Sequence, residues 1–133
     1  MTAQIVDKPW GKEIILTTKN LPYVGKIIHI DQGKRWSTQI HDQKLETFCC
    51  ISGQARLFTG KDIDHLNQEI MAENQGYTIE TGTVHRIEAI TDVIIFEVST
   101  PETGTTFRLQ DDYNRPDETE AVRNSPNRGW NQK

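Results

Sequence analysis

Residues 39–53 read Gln-Ile-His-Asp-Gln-Lys-Leu-Glu-Thr-Phe-Cys-Cys-Ile-Ser-Gly, and Gly-Thr-Val-His follows at residues 82–85. Gln39 and His41 are two residues apart, so on a β-strand their side chains project to the same face. If the strand that begins at Glu46 pairs with the first strand as a hairpin, Glu46 returns beside His41. His85, on a later strand, is a candidate fourth ligand. One amide oxygen, two imidazoles and one carboxylate inside a small barrel predict a metal site.

Each of these residues also has a simpler interpretation. A lone histidine in a core is usually satisfied by hydrogen bonds, and Glu46 can be an ordinary residue at a strand start that faces water. A carboxylate inside a small barrel is costly unless it is paired or coordinates a cation, which favours the metal site. Nitrogen and oxygen ligands suit Zn²⁺, Mn²⁺, Fe²⁺, Ni²⁺ or Co²⁺ and do not discriminate well among them.

Length and charge limit the possible classes of protein. A chain of 133 residues is long enough for one domain with a real core and too short for two. The net charge of −4 argues against a general nucleic-acid or anionic-membrane binder. No apolar run approaches the length of a membrane span, and the segment Met1–Glu13 lacks the pattern of a signal peptide. We therefore expect a soluble, cytoplasmic protein.

The chain has the pattern of an all-β protein with one domain. Short segments rich in Ile, Val, Thr and Phe alternate with turns that contain Gly, Asn and Asp, at the spacing typical of a sandwich or barrel. Residues 1–113 are predicted to form the barrel. From Asn114 to Lys133 the composition shifts to polar residues and proline, which predicts a tail that is either mobile or packed along the outside of the domain.

The run Val93-Ile94-Ile95-Phe96 is apolar on both faces of its predicted strand. One face should line the core, and the other needs cover from another segment or from a second subunit. This pattern predicts a homodimer.

The motifs described above resemble those of the cupin superfamily, whose small β-barrels carry two ligand motifs. Gly33, His41, Glu46 and Gly53 fall in register with the first motif, and the second is matched by Gly76, Gly82 and His85. Gln39 stands where most cupins have their first histidine. The set of Gln, His, Glu and His resembles the metal ligands of phosphomannose isomerases.

The flanking segments resemble the cupin domain of type II phosphomannose isomerases. The matching segments are Lys8-Pro9-Trp10-Gly11, Tyr23 with Lys26, Gly82 with His85-Arg86, and the closing run Arg108–Arg115. The sequence departs from the family at Glu80, Ala89, Thr47-Phe48 and Asn114. These departures bear on the mouth of the barrel, and so on the identity of the sugar more than on the metal.

The resemblance implies a metal-dependent sugar-phosphate isomerase that interconverts an aldose and a ketose through a cis-enediol, as between mannose 6-phosphate and fructose 6-phosphate. It implies Gln39, His41, Glu46 and His85 as metal ligands and favours zinc. It also implies catalytic roles for Lys26 and Arg108, the latter as a fixed cation near the substrate.

Two other functions remain open at this stage. One is a non-catalytic cupin that binds a sugar or a nucleotide sugar, which the departures at Glu80, Thr47 and Ala89 favour. The other is an iron-dependent cupin dioxygenase, against which Gln39 in a ligand position argues.

Overall fold

The computed structural model describes residues 3–129 and shows two antiparallel β-sheets that pack face to face around one core. The strands are β1 (Gln4–Lys8), β2 (Gly11–Ile15), β3 (Val24–Ile30), β4 (Thr38–His41), β5 (Glu46–Ser52), β6 (Ala55–Gly60), β7 (Leu66–Ile70), β8 (Gly76–Ile79), β9 (Val84–Ala89), β10 (Val93–Ser99) and β11 (Thr106–Gln110). One sheet has the order β1-β2-β3-β10-β5-β8, and the other has the order β11-β4-β9-β6-β7. The prediction of an all-β domain is confirmed.

The side chains between the sheets follow the period of two that the sequence displays. In β10, Val93, Ile95 and Glu97 are buried, whereas Ile94 and Phe96 are half-buried on the outer face. The buried apolar cluster consists of Trp10, Ile28, Ile30, Trp36, Phe48, Cys50, Ala55, Leu57, Met71, Ile79, Ile87, Ala89, Val93 and Ile95. Its aromatic residues, Trp10, Trp36 and Phe48, line part of the charged cavity described below.

The hairpin considered above as one way to bring Glu46 beside His41 does not form. β4 pairs with β9 and β11, whereas β5 pairs with β8 and β10 in the opposite sheet. The connecting segment 42–45 crosses between the sheets and is fixed at both ends, because Thr105 donates its N–H to Asp42 Oδ1 at 2.9 Å and Leu45 donates its N–H to Thr100 Oγ1 at 3.0 Å. Glu46 therefore reaches His41 across the interior of the sandwich and not along one sheet.

Two strands depend on contacts that local periodicity does not reveal. β1 and β2 are joined by the turn Pro9-Trp10, with Lys8 opposite Gly11. β11 lacks a regular alternation of apolar and polar residues. It forms the edge of its sheet, with Thr106 opposite His41 and Arg108 opposite Gln39.

The described part of the tail packs along the outside of the barrel, and we name residues 114–129 the C-terminal strap. Glu118 and Thr106 exchange backbone hydrogen bonds of 2.9 and 3.0 Å. The short helix α1 (Glu120–Arg123) begins after the cap Thr119, and Arg123 donates to the carbonyl oxygens of Glu102 and Gly104. Trp130 and the remaining tail residues lie outside the described range. Within residues 3–129, no helix has the length and apolar character needed to cross a membrane.

The outer face of the larger sheet carries an apolar row that crosses five strands. The strand registers align Ile5 with Ile14, Ile14 with Ile27, Ile27 with Phe96, and Phe96 with Cys49. Ile5 is 59% exposed, and the other four side chains are half-buried. We name these five residues the outer apolar row.

Candidate metal centre and active site

Three potential metal ligands converge inside the sandwich. His41 lies at the end of β4, His85 lies in β9 of the same sheet, and Glu46 opens β5 of the opposite sheet. Glu46 Oε1 lies 3.0 Å from His41 Nε2 and 2.9 Å from His85 Nε2, and all three side chains are buried. One potential ligand atom from each residue lies within 4.8 Å of the others, which is close enough for the three to hold one ion.

In each histidine, the ring nitrogen that does not face Glu46, Nδ1, lies within hydrogen-bonding distance of an oxygen atom. His85 Nδ1 lies 3.0 Å from the carbonyl oxygen of Thr83, which can only accept, so Nδ1 donates to it and Nε2 is the nitrogen that faces Glu46 and can coordinate a cation. His41 Nδ1 lies 2.9 Å from Thr106 Oγ1. A ligating histidine is usually oriented in this way by an oxygen atom on its other nitrogen. When Nδ1 is the protonated nitrogen of each ring, Nε2 of both imidazoles and an oxygen of Glu46 can coordinate one cation.

Gln39 lies beside the two histidines, as the sequence predicts. Its amide Nε2 is 3.5 Å from both His41 Nε2 and His85 Nε2, and its Oε1 accepts a hydrogen bond of 2.8 Å from Ser37 Oγ. Rotation of the amide by half a turn exchanges its nitrogen and oxygen, and Ser37 can serve either atom. The rotated amide presents its oxygen to the same centre, so Gln39 fits the role of a fourth ligand.

The electrostatic surroundings keep the ligands in the states that bind metal. Burial acts to raise the pKa of Glu46, but the ammonium of Lys44 at 3.0 Å and the hydrogen bonds to the histidines outweigh burial and lower it well below its usual value. Burial lowers the pKa of His41 despite the neighbouring carboxylate. An ionised Glu46 beside a neutral His41 is the combination that a divalent cation requires.

A cavity of about 50 Å³ adjoins these residues, and its lining is densely charged. Within residues 3–129, seven cationic side chains line it: Lys8, Lys26, Lys44, Arg108, Arg115, Arg123 and Arg128. The same described part of the chain contributes five carboxylates: Glu13, Glu46, Glu97, Glu102 and Glu118. The lining carries an excess of positive charge in a protein whose net charge is −4.

Both sequence-predicted catalytic residues lie on this cavity. Lys26 is 1% exposed and pairs with Glu13 and Glu102. Burial acts to lower the pKa of Lys26, but the surrounding carboxylates, led by Glu102, outweigh burial and raise it. Arg108 donates from Nη1 to the carbonyl oxygen of Pro116, while its buried Nε has no hydrogen-bond partner among residues 3–129.

The sequence interpretation missed several members of the charged lining. Glu97 could have been found, because it shares the buried face of β10 with Val93 and Ile95. Lys44 read as a turn residue, and its contacts with Glu46 and Glu97, both 3.0 Å, depend on the crossing between the sheets. Nothing in the local sequence around Glu102 indicates its role, since its partners come from distant parts of the chain.

The family model described as mannose-6-phosphate isomerase C-terminal matches residues 1–118. The chain belongs to this family. The cupin resemblance noted from the sequence is thereby confirmed.

Three known proteins show how far the similarity extends. Mannose-1-phosphate guanylyltransferase RfbM of Salmonella typhimurium is 30% identical over 86 residues, which are 64% of this chain and 16% of RfbM. The capsular polysaccharide assembling protein CapF of Staphylococcus aureus superposes with a TM-score of 0.68 at 13% identity, covering 90% of this chain and 32% of CapF. Oxalate decarboxylase of Bacillus subtilis, which has Mn(II) centres, superposes with a TM-score of 0.67 at 15% identity, over 80% of this chain and 30% of its own.

The two structural similarities establish the fold, which is that of a cupin jelly roll. The segment matched in RfbM is a small part of a much longer protein. Similarity to that segment therefore describes a domain and not the activity of the whole relative.

Acid is expected to destabilise the fold through its buried carboxylates. Burial acts to raise the pKa of Glu13, but Lys26 and Lys8 outweigh burial and hold it at about 2, against an ordinary 4.5. A carboxyl whose pKa falls on folding adds stability that is present above the unfolded pKa and lost as the pH falls through the folded one. The free energy of unfolding should therefore decrease between pH 4.5 and about 2, with about 3 kcal/mol from Glu13.

Urea denaturation at a series of pH values across this window measures the effect. Glu13→Gln should show a shallower dependence on pH than the wild type. Glu80→Gln, which removes an exposed carboxylate, is the matched control and should keep the wild-type slope. Equal slopes in all three proteins would contradict the assignment to Glu13.

Proposed function

We propose that this cupin domain binds one divalent transition metal, zinc in the first instance, and isomerises a sugar phosphate between its aldose and ketose forms. The observation that carries the proposal is the convergence of Gln39, His41, Glu46 and His85 beside a cavity whose lining has an excess of cations. A sugar phosphate is an anion with many hydroxyl groups, and an electropositive polar cavity suits it. The family description and the name of RfbM both refer to mannose phosphates, which supports mannose 6-phosphate as the first substrate to test.

Each member of the site has a distinct task in this proposal. When bound by the four ligands, the metal supplies Lewis-acid polarisation of the substrate oxygens at C1 and C2. Lys26, whose pKa is raised, stays protonated and serves as a cation and hydrogen-bond donor, not as the general base. Arg108 offers its unpaired Nε–H to an oxygen of the substrate and stabilises the negative charge that develops on the enediol.

The metal site gives the first prediction for this function. Purified protein reconstituted with Zn²⁺ should hold about one ion per chain, and Glu46→Gln and His85→Ala should hold none. Thr106→Val removes only the partner of His41 Nδ1 and should weaken metal affinity by roughly 10–100-fold. Elemental analysis and competition with a chelator measure these effects.

His65→Ala is the matched control, because His65 is exposed, pairs with Asp62 and is not one of the converging ligands. It should bind metal like the wild type. Absence of a transition metal from the reconstituted wild-type protein would overturn the metal site.

Turnover gives the second prediction. The metal-loaded protein should interconvert mannose 6-phosphate and fructose 6-phosphate, and Glu46→Gln should abolish turnover. Lys26→Met should lower kcat by roughly 100-fold or more if its ammonium stabilises the transition state. A coupled assay for each product measures the rates, and circular dichroism verifies that each variant is folded.

The result of the assay also separates the isomerase from the other two functions. Tight binding of a sugar phosphate or nucleotide sugar without turnover, across a panel of aldose and ketose phosphates, would favour the non-catalytic binding cupin. Oxygen uptake with added Fe²⁺ would favour the dioxygenase. The departures from the family motifs at Glu80, Thr47 and Ala89 support the binding cupin as the second candidate.

We further propose that two copies of the chain associate through the outer apolar row. Its five side chains lie in register on one sheet, and contiguous exposed apolar surface is characteristic of an interface. The partly exposed Phe96, between Ile27 and Cys49 in the row, provides the aromatic anchor that interfaces favour.

Sedimentation of matched variants tests the dimer. Ile5→Asp places a charge in the row, whereas Ile70→Asp places one on β7 of the other sheet at similar exposure, 59% against 53%. We expect the wild type and Ile70→Asp to sediment as dimers at micromolar concentration and Ile5→Asp to shift towards monomer. A strictly monomeric wild type would refute the proposal.

A further inference from the structure

One carboxylate of the cavity lining is held by three cations. Glu102 forms ion pairs with Lys26, with Arg128 and, at 3.5 Å, with Lys44. Lys26 and Lys44 are buried, at 1% and 7% exposure, and the Arg128 side chain is 10% exposed. Three positive groups around one pair of oxygen atoms form a coordination shell suited to an anion with more than one negative charge.

Glu102 differs from the other carboxylates of the lining in its place in the fold. Glu13, Glu46 and Glu97 lie on strands, and Glu118 is fixed by its backbone hydrogen bonds to Thr106. Glu102 lies in the loop between β10 and β11, so its side chain can leave the cavity without breaking a strand pairing. Another anion could therefore replace the Glu102 carboxylate beside the cation cluster, which consists of Lys26, Lys44 and Arg128.

Arg128 forms its ion pairs although the backbone conformation at this position is energetically unfavourable. Arg128 and Asn127 adopt φ values of 53° and 47°, in the left-handed region that non-glycine residues seldom occupy. The ion pairs of Arg128 with Glu102 and Glu118 compensate this cost. The strap thereby contributes a cation to the interior of the barrel from a position far from the metal ligands in sequence.

The cluster and the candidate metal centre are joined by one side chain. Lys44 Nζ lies 3.0 Å from Glu46 Oε2 and 3.5 Å from Glu102 Oε1, so a single ammonium separates the two sites. A molecule with oxygen atoms at the metal and a phosphate at its other end can reach both. The cavity of about 50 Å³ is too small for such a molecule while Glu102 remains inside.

We propose that Lys26, Lys44 and Arg128 form a phosphate subsite and that Glu102 occupies it as an internal ligand until the phosphate of the substrate displaces it. The identity of the phosphate as part of a sugar phosphate rests on the function proposed above. The subsite itself rests on the cation cluster. Neutral sugars lack the charge to displace Glu102, so the exchange selects phosphorylated ligands.

Binding of inorganic phosphate to the metal-free protein tests the subsite without reference to turnover. Glu102→Gln should bind phosphate more tightly than the wild type, by about tenfold if Glu102 occupies the cluster in about nine molecules of ten. Glu88→Gln is the matched control for net charge, because Glu88 pairs with Arg56 on the outside of the barrel. It should bind phosphate like the wild type. Isothermal titration calorimetry at constant ionic strength gives the affinities.

A second variant tests whether the gain in phosphate affinity of Glu102→Gln depends on the cation cluster. Adding Arg128→Met to Glu102→Gln should remove most of the gain, because one of the three cations is lost. Thermal unfolding of each variant verifies the fold. In the wild type, which needs no substitution, mannose 6-phosphate should raise the melting temperature and mannose at equal concentration should not.

The outcomes separate this inference from the isomerase. A gain in phosphate affinity for Glu102→Gln without turnover of any sugar phosphate would support the subsite and overturn the isomerase. Turnover of mannose 6-phosphate with unchanged phosphate affinity in Glu102→Gln would overturn the subsite and leave the isomerase standing. Equal melting shifts with mannose and mannose 6-phosphate would also overturn the subsite.

Discussion

The mutual neutralisation of buried charges between the two sheets is the constraint on which the rest of the structure depends. A carboxylate or an ammonium removed from water costs several kcal/mol unless an opposite charge lies close to it. Lys44 contacts Glu46, Glu97 and Glu102. Its ammonium therefore joins a candidate metal ligand on β5, a carboxylate on β10 and a carboxylate in the loop between β10 and β11. Loss of one member weakens the neutralisation of every charge that it contacts, so the network stabilises as a unit.

This network also orients the candidate metal ligands. Glu46 accepts from Lys44 on one oxygen and faces two imidazole nitrogens with the other. Thr83 and Thr106 fix the far side of the rings. The ligands are thus oriented by neighbours before any ion arrives, which lowers the entropic cost of binding it. Groups that orient metal ligands influence metal affinity, so Lys44 and Thr106 are expected to affect binding of the ion although they are not ligands themselves.

The sequence predicted those parts of the molecule that depend on local periodicity. Alternation along the strand placed Gln39 and His41 on one face, and the family resemblance indicated Lys26. The hairpin of β4 with β5 stayed one option, because a hairpin and a crossing between sheets bring Glu46 to His41 equally well and the local sequence does not distinguish them. The contacts of Glu102 and Arg128 were beyond prediction, since they join a loop and a strap through long-range electrostatics that no short pattern encodes.

The internal carboxylate gives the cavity a physical basis for selecting its ligand. If Glu102 withdrew and nothing replaced it, Lys26, Lys44 and Arg128 would each keep another carboxylate partner but would lose the one that they share, so the empty subsite is less favourable than the occupied one. A ligand is bound only if its own charge compensates for the loss of Glu102. A phosphate dianion offers more charge and more acceptor oxygens than a carboxylate, whereas a hydroxyl group offers neither. Competition with the Glu102 carboxylate lowers the affinity for every ligand, and it lowers the affinity most for uncharged ligands. The cavity therefore discriminates between phosphorylated and neutral ligands through the cost of displacing Glu102 as well as through the contacts that the ligand makes.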